Sequence, residues 1–186
     1  YNSYRGEIGQ AAPNLLARNF KANRPNEKWV TDVTEFHLFG QKLYLSPILD
    51  LFNGEIVSYS LSNHPKFSQT VDMLEQAFRK IPMNTNLILH SDQGWQYQMK
   101  PYQRMLKEMG IRQSISRKGN CLDNAVMENF FGILKTELLY LQTFDSMEHF
   151  VAELKDYLHY YNHRRIKQKL KGMSPVPFRL FTLQSA

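Results

Sequence analysis

The alternation of apolar and polar positions changes character at Lys28. Residues 1–27 are polar and irregular, broken by Pro13 and Pro25, with one short helical possibility over Leu15–Phe20. From Trp29 to Phe39 β-branched and aromatic residues dominate, ending at a hairpin-like turn at Gly40-Gln41. Lys42–Phe52 is nearly continuous in apolar residues, as expected of a strand buried on both faces. Asn53-Gly54 is the strongest short hairpin signal in the chain, and Glu55–Leu61 alternates as a third strand. Three consecutive antiparallel strands are therefore expected.

The period then switches. Ser68 is placed to cap a helix running to about Lys80, with Val71, Leu74 and Phe78 on one face and Pro82 beyond its end. Asn86–His90 reads as a fourth strand and Gln93-Gly94 as a turn. Pro101 opens a helix whose Tyr102, Met105, Leu106 and Met109 share a face, and Gly110 terminates it. Ile111–Ser116 is the fifth strand. Gly119 and Asn120 break structure, and Asp123 or Asn124 caps a helix beginning near Ala125. Asp145-Ser-Met-Glu148 resembles a capping box for a last helix, with Met147, Phe150, Val151, Leu154, Leu158 and Tyr161 along one stripe. This order predicts an α/β fold: a mixed five-stranded sheet flanked by helices on both faces.

Composition narrows the class. The 186 residues, 42% hydrophobic and 22% charged, suit one globular domain with a sizeable core. No apolar run is long enough to span a bilayer, so no membrane partner is expected. A single cysteine, Cys121, excludes an internal disulfide and a cysteine-based zinc cluster, and fits a reducing cytoplasm. The net charge of +6 is unevenly placed: no Asp or Glu follows Asp156, whereas Arg164, Arg165, Lys167, Lys169, Lys171 and Arg179 all do. A neutral body with a basic end points to a polyanion. The expected organisation is a lead-in over residues 1–27, a core over 28–162 and a basic tail over 163–186. Because the chain begins at Tyr1 rather than Met, it reads as a piece of something longer.

Three acids stand where this topology brings elements together. Asp32 lies in the first strand, expected at the sheet's centre, and Asp92 at the C-terminal end of the strand beside it. Glu128 comes from the helix packed across that edge, after 35 intervening residues. Two carboxylates about 4 Å apart repel by roughly 4 kcal/mol at an effective dielectric near 20. A hard divalent cation such as Mg²⁺ relieves that repulsion, and two such ions serve phosphodiester chemistry. On the helix, Glu128, Gly132 and Lys135 fall at i, i+4 and i+7, about 20° short of two full turns, so they share a face. Glu35 points away from Asp32 by strand parity. Asp50 and His90 read as buried hydrogen-bonded groups or as supports behind the site's ligands, Asp123 as a cap and Cys121 as inert.

Trp29-Val-Thr-Asp32-Val-Thr, His90-Ser-Asp92-Gln-Gly and Asn124-Ala-Val-Met-Glu128-Asn-Phe-Phe-Gly-Ile-Leu-Lys135 resemble the DDE motif of retroviral integrases and bacterial insertion-sequence transposases. Tyr160-Tyr-Asn-His-Arg-Arg-Ile-Lys-Gln-Lys-Leu-Lys-Gly-Met-Ser-Pro175 looks like the tail of integrase-like transposases encoded by a second, frameshifted reading frame, and Ala11-Ala-Pro-Asn-Leu-Leu also looks familial. The likeness runs from about Trp29 to Phe178. It implies a ribonuclease H-like fold, with Asp32, Asp92 and Glu128 as catalytic ligands of Mg²⁺ or Mn²⁺, two ions in all. It implies cleavage at an element's DNA ends and transfer of the freed 3′-hydroxyls to target DNA, by a homo-oligomer on DNA in the bacterial cytoplasm, at the nucleoid. Lys135, Arg117, Lys118 and the basic residues from Arg164 to Lys171 are the expected DNA contacts. Such proteins carry a helix-turn-helix region for end recognition; the stretch before Trp29 is too short for one, so that function is expected to be separate or missing. The competing readings are a ribonuclease H-like nuclease without strand transfer and a catalytically silent DNA-binding or assembly module. Loss of a triad carboxylate, expected of the latter, is not seen.

Overall fold

The computed structural model describes residues 11–119 and 121–185. At its centre is β1 (Lys28–Thr31), paired antiparallel to β3 (Gln41–Asp50) on one side and parallel to β5 (Ile88–Ser91) on the other. Beyond β3 lies β4 (Ile56–Ser62), and beyond β5 lies β6 (Arg112–Ile115). β2 (Thr34–Leu38) also pairs β3. Its register continues that of β1, so β1 and β2 are one path along β3, interrupted at Asp32 and Val33. Counted that way the sheet is the expected mixed one of five strands.

The interruption has a local cause. The β1–β3 register carried forward sets Pro47 across from Asp32. A proline has no N–H for the ladder. Thr31 Oγ1 donates to the Pro47 carbonyl at 2.8 Å, and the Val33 N–H turns to the Asp32 side chain instead.

Two cores cover the faces, and the period-2 pattern assigns residues to them. Trp29, Ile48, Val57 and Leu89 pack against α1 (Phe67–Phe78) and α2 (Lys100–Glu108). Val30, Leu49, Ile56 and Ile88 pack against α3 (Ala125–Leu134), the π-turn Lys135–Leu139 and α4 (Met147–His163). Each fully buried side chain of this size contributes about 1.5–3 kcal/mol of transfer free energy, before the opposing conformational entropy.

Several local expectations are corrected. The first hairpin turns at Phe39-Gly40, both at positive φ, not at Gly40-Gln41. The turn after β3 is wider than Asn53-Gly54 alone, because Glu55 O accepts from Asp50 N and Asp50 Oδ1 from Phe52 N. α1 buries Gln69, Thr70, Met73, Leu74 and Ala77 rather than the Val71, Leu74, Phe78 face, and Ser68 does not cap it. Its contact surface is polar as well as apolar: Ser58 and Ser60 of β4 donate to the Met73 and Gln69 carbonyls. Ser146, not Asp145, caps α4, accepting from His149 N at 3.1 Å. Leu15–Phe20 is no helix, since Ala17 and Arg18 take left-handed φ of 46° and 64°. The break at Gly119 is present with φ of 70°, while Asn120 lies outside the described residues.

Candidate active site

Parallel pairing of β1 with β5 builds the site. Lys28, Trp29 and Val30 face Ile88, Leu89 and His90, and the same register two residues further sets Asp32 beside Asp92. Both carboxylates therefore emerge at strand C-termini, next to each other. Asp32 Oδ1 accepts from Val33 N–H at 2.7 Å. Asp92 Oδ1 accepts from Gly94 N–H at 2.9 Å. A Cβ on Gly94 would stand 3.0 Å from that same oxygen and closer still to the Gln96 amide, so a side chain here would make the Gln96 side chain shift.

Glu128 arrives from the other side. A 3₁₀ turn at Cys121–Asn124 precedes α3, and Asn124 occupies the position before the helix without a capping side-chain bond. The expected cap at Asp123 or Asn124 is thus corrected, because both side chains are used elsewhere. Asn124 Nδ2 donates to Asp32 Oδ2 at 2.9 Å. The Asp123 carboxylate, fully buried, takes Arg117 Nε and Nη2, Arg18 Nε and Asn14 Nδ2, all at 3.0 Å. His90 bridges Ser114 Oγ and the Asp123 carbonyl, each at 2.8 Å. A carbonyl only accepts, so Nε2 carries the proton and Nδ1 accepts from Ser114; burial pushes the imidazole pKa down and keeps it neutral.

The electrostatics of the acids differ sharply. Burial first, then the Asp92 charge and the Glu128 charge, push the Asp32 carboxyl up to about 7 against the pull of Val33 N–H and Asn124. Arg117 hydrogen bonds hold Asp123 well below the usual carboxylate range. Among the described residues no lysine or arginine forms an ion pair with Asp32, Asp92 or Glu128. Nor, among those residues, do three acidic or metal-binding side chains close around one point. The oxygens of Asp32 and Asp92 are held instead by Val33, Asn124 and Gly94. The three carboxylates are nonetheless an oxygen donor set suited to a hard divalent cation.

The remaining candidates divide. Glu128 and Gly132 lie exposed on α3, and a Cβ on Gly132 would meet nothing within 4 Å, so that face is open. Lys135, at the end of α3, is half-buried with Nζ 5.9 Å from the Phe36 ring centroid. Lys118 is exposed, but Arg117 is engaged with Asp123. The basic residues that follow α4 are in part engaged within the fold. Arg165 makes three bonds to Glu137 at 2.6–3.0 Å. Lys167 Nζ donates to Tyr161 Oη over its ring, where burial lowers the ammonium pKa to about 8. Arg179 reaches Asp50, Glu55 and Asn26, and α5 (Pro175–Gln184) joins Asn53 through the Pro175 carbonyl. Those partners lie at the N-terminal end of β1, whereas Asp32 lies at its C-terminal end. Only Arg164, Lys169 and Lys171 of the five charges are exposed.

Sequence reasoning missed the Asn124–Asp32 bond and the cluster of Asn14, Arg18 and Arg117 around Asp123. A signal for the first was present: Asn124 precedes Glu128 by four residues, one helical turn. In the second, Asn14 and Arg18 lie more than a hundred positions from Asp123, a separation for which local pattern carries no signal.

Residues 22–121 match a family model described as an integrase core domain, and residues 128–183 match a second model of the same description. A putative transposase InsK for insertion sequence element IS150 of Escherichia coli (strain K12) is 59% identical over 179 residues, 96% of this chain and 63% of that protein. An uncharacterized transposase-like protein of Haemophilus influenzae is 55% identical over 98% of this chain and 84% of its own length. The HTLV-2 integrase catalytic core domain in complex with magnesium superposes with a TM-score of 0.67 at 19% identity, covering 86% of this chain and 99% of that one, a likeness of fold.

Proposed function

The chain belongs to the integrase core domain family, with bacterial insertion-sequence transposases among its relatives, and from that premise we propose that it cuts and joins DNA at the ends of an insertion element through Asp32, Asp92 and Glu128. The observation that carries this reading is the cluster itself: Asp32 is held beside Asp92 by strand register and feels the charge of Glu128, with no cationic side chain among the described residues to balance them. Asp123, by contrast, is neutralised in the same fold by two arginines.

These three residues would hold Mg²⁺ or Mn²⁺, two ions in the fullest form. Bound there, such a cation supplies a Lewis acid for the phosphoryl oxygens and lowers the pKa of the attacking hydroxyl. The chain's own residues do the rest. Val33 N–H and Asn124 orient Asp32, and Gly94 N–H orients Asp92. The side-chain-free surface at Gly132 admits a sugar-phosphate backbone next to Glu128. Lys135 at the end of α3 and the exposed Lys118 would meet DNA phosphates, while Arg164, Lys169 and Lys171 would offer further basic groups to DNA.

The test is a strand-transfer assay with the native element's ends, with and without Mg²⁺. Joined products that vanish in excess chelator and in Asp32→Asn support the reading. Cleavage without joining would leave a nuclease instead, and joining undiminished by chelator would refute the metal site.

A further inference from the structure

Residues 123 and 124 connect every element that contributes a carboxylate. The Asp123 carbonyl accepts from His90, two residues before Asp92. The Asn124 amide donates to Asp32. One residue later α3 begins, carrying Glu128 a turn further on. The Asp123 carboxylate, through Arg117, Arg18 and Asn14, anchors the dipeptide to the loop after β6 and to the N-terminal segment.

Asn124 is an odd choice if its work were only to start a helix. It stands at the capping position yet makes no capping bond. Its side chain is buried, and Oδ1 has no partner among the described residues. An amide kept with one end unsatisfied carries a desolvation cost that an apolar residue would avoid. What the amide gains is the single side-chain hydrogen bond to Asp32, a group whose neighbours Asp92 and Glu128 repel it.

We propose that Asn124 is a positioning residue for the carboxylate site, clamping Asp32 to the start of the Glu128 helix so that a divalent cation can draw the three acids together. This rests on the metal reading of Asp32, Asp92 and Glu128 given above. Each oxygen of Asp32 accepts one N–H and keeps a lone pair for a ligand. Without the amide the carboxylate is free to swing away from Asp92 and Glu128, and a cation must then gather ligands that drift apart. Partners that orient a metal's ligands are commonly worth about 10–100-fold in metal affinity or activity.

The experiment measures Mn²⁺ binding to the full chain by electron paramagnetic resonance, DNA affinity in chelator, and single-turnover cleavage, for wild type, Asn124→Ala and Asp32→Asn. Expected for Asn124→Ala is Mn²⁺ binding weakened roughly 10–100-fold with a parallel loss of cleavage and unchanged DNA affinity. If Asp32→Asn abolishes Mn²⁺ binding while Asn124→Ala binds and cleaves as wild type, the positioning role is overturned and the metal site stands. If Asp32→Asn binds Mn²⁺ normally, the metal reading fails and the clamp with it. Should Asn124→Ala fail to fold, the wild-type side-chain amide decides by NMR. Its Nδ2 resonances are expected to shift as Mg²⁺ saturates the site, and resonances unmoved at saturation overturn the proposal.

Discussion

Asp123 and Asp32 are both withdrawn from solvent, and their surroundings treat them in opposite ways. Asp123 has two guanidinium groups, an amide and a backbone N–H around its carboxylate, and its pKa falls well below the usual range. Asp32 has one amide and one backbone N–H, faces two further acids, and is pushed up to about 7. Asp50 lies between: buried, met by Arg179 and two N–H groups, its carboxyl still raised by burial. The comparison separates a carboxylate that fastens segments together from one kept available. The arginines sit on the first, and on the proposed reading an incoming cation would relieve the repulsion at the second.

The largest effect that tests this contrast is on activity. Asp32→Asn, Asp92→Asn or Glu128→Gln is expected to lower DNA cleavage and joining by roughly 10³-fold or more, with the circular dichroism spectrum and DNA affinity retained. Wild-type turnover in any one of them breaks the triad. Asp123→Ala should do the reverse: it should lower the melting temperature by about 5 °C or more, because it strands Arg18 and Arg117 and loosens the N-terminal segment. A variant melting with wild type would mean that Asp123 fastens nothing.

The two acids also predict opposite pH slopes in the metal-free protein. The folded Asp32 pKa is raised from 3.8 to about 7, so the folded state holds a proton that the unfolded chain releases. Its contribution to stability therefore declines as pH rises through that window and is flat above it. Asp123 has a depressed pKa, so its contribution is present above the unfolded value and is lost as pH falls toward the folded one. Denaturant titrations at pH 4 to 8, comparing wild type with Asp32→Asn, should show the variant gaining relative stability toward pH 8. Equal curves would remove the uncompensated charge at Asp32. The smallest effect concerns the tail. Neutralising the exposed Arg164, Lys169 and Lys171 should flatten the slope of log K for DNA against log salt by at most about 2.7, that is about 0.9 per contact. Arg165→Gln, which breaks the Glu137 pair, should instead mainly lower thermal stability. A salt slope changed more by Arg165→Gln than by the triple variant would reverse this division.

How much of this was legible before the fold is clearest in particular residues. The strands over Trp29–Leu61 were readable because β-branched residues and turn glycines act locally. The sheet's order, with β5 beside β1, followed from the switch between hairpins and helical crossovers. The caps failed. Ser68, Asp123, Asn124 and Asp145 are all residue types that favour helix starts, yet none accepts a capping bond, because propensity does not say where else a polar side chain can reach. The same limit touches the basic tail: of five charges in eight residues, Glu137 and Tyr161 engage two, which no local pattern shows.

Sequence by itself determined the periods, the elements and the residue types that the chemistry needs, since these depend on neighbours within a turn or a strand. Tertiary structure alone decided which acid would be neutralised. Asn14 and Arg18 reach Asp123 across more than a hundred residues, and Pro47 ends the ladder so that Asp32 is released from the sheet beside Asp92. A carboxylate's charge state is set by everything within a few ångströms of it, and sequence distance carries almost none of that information.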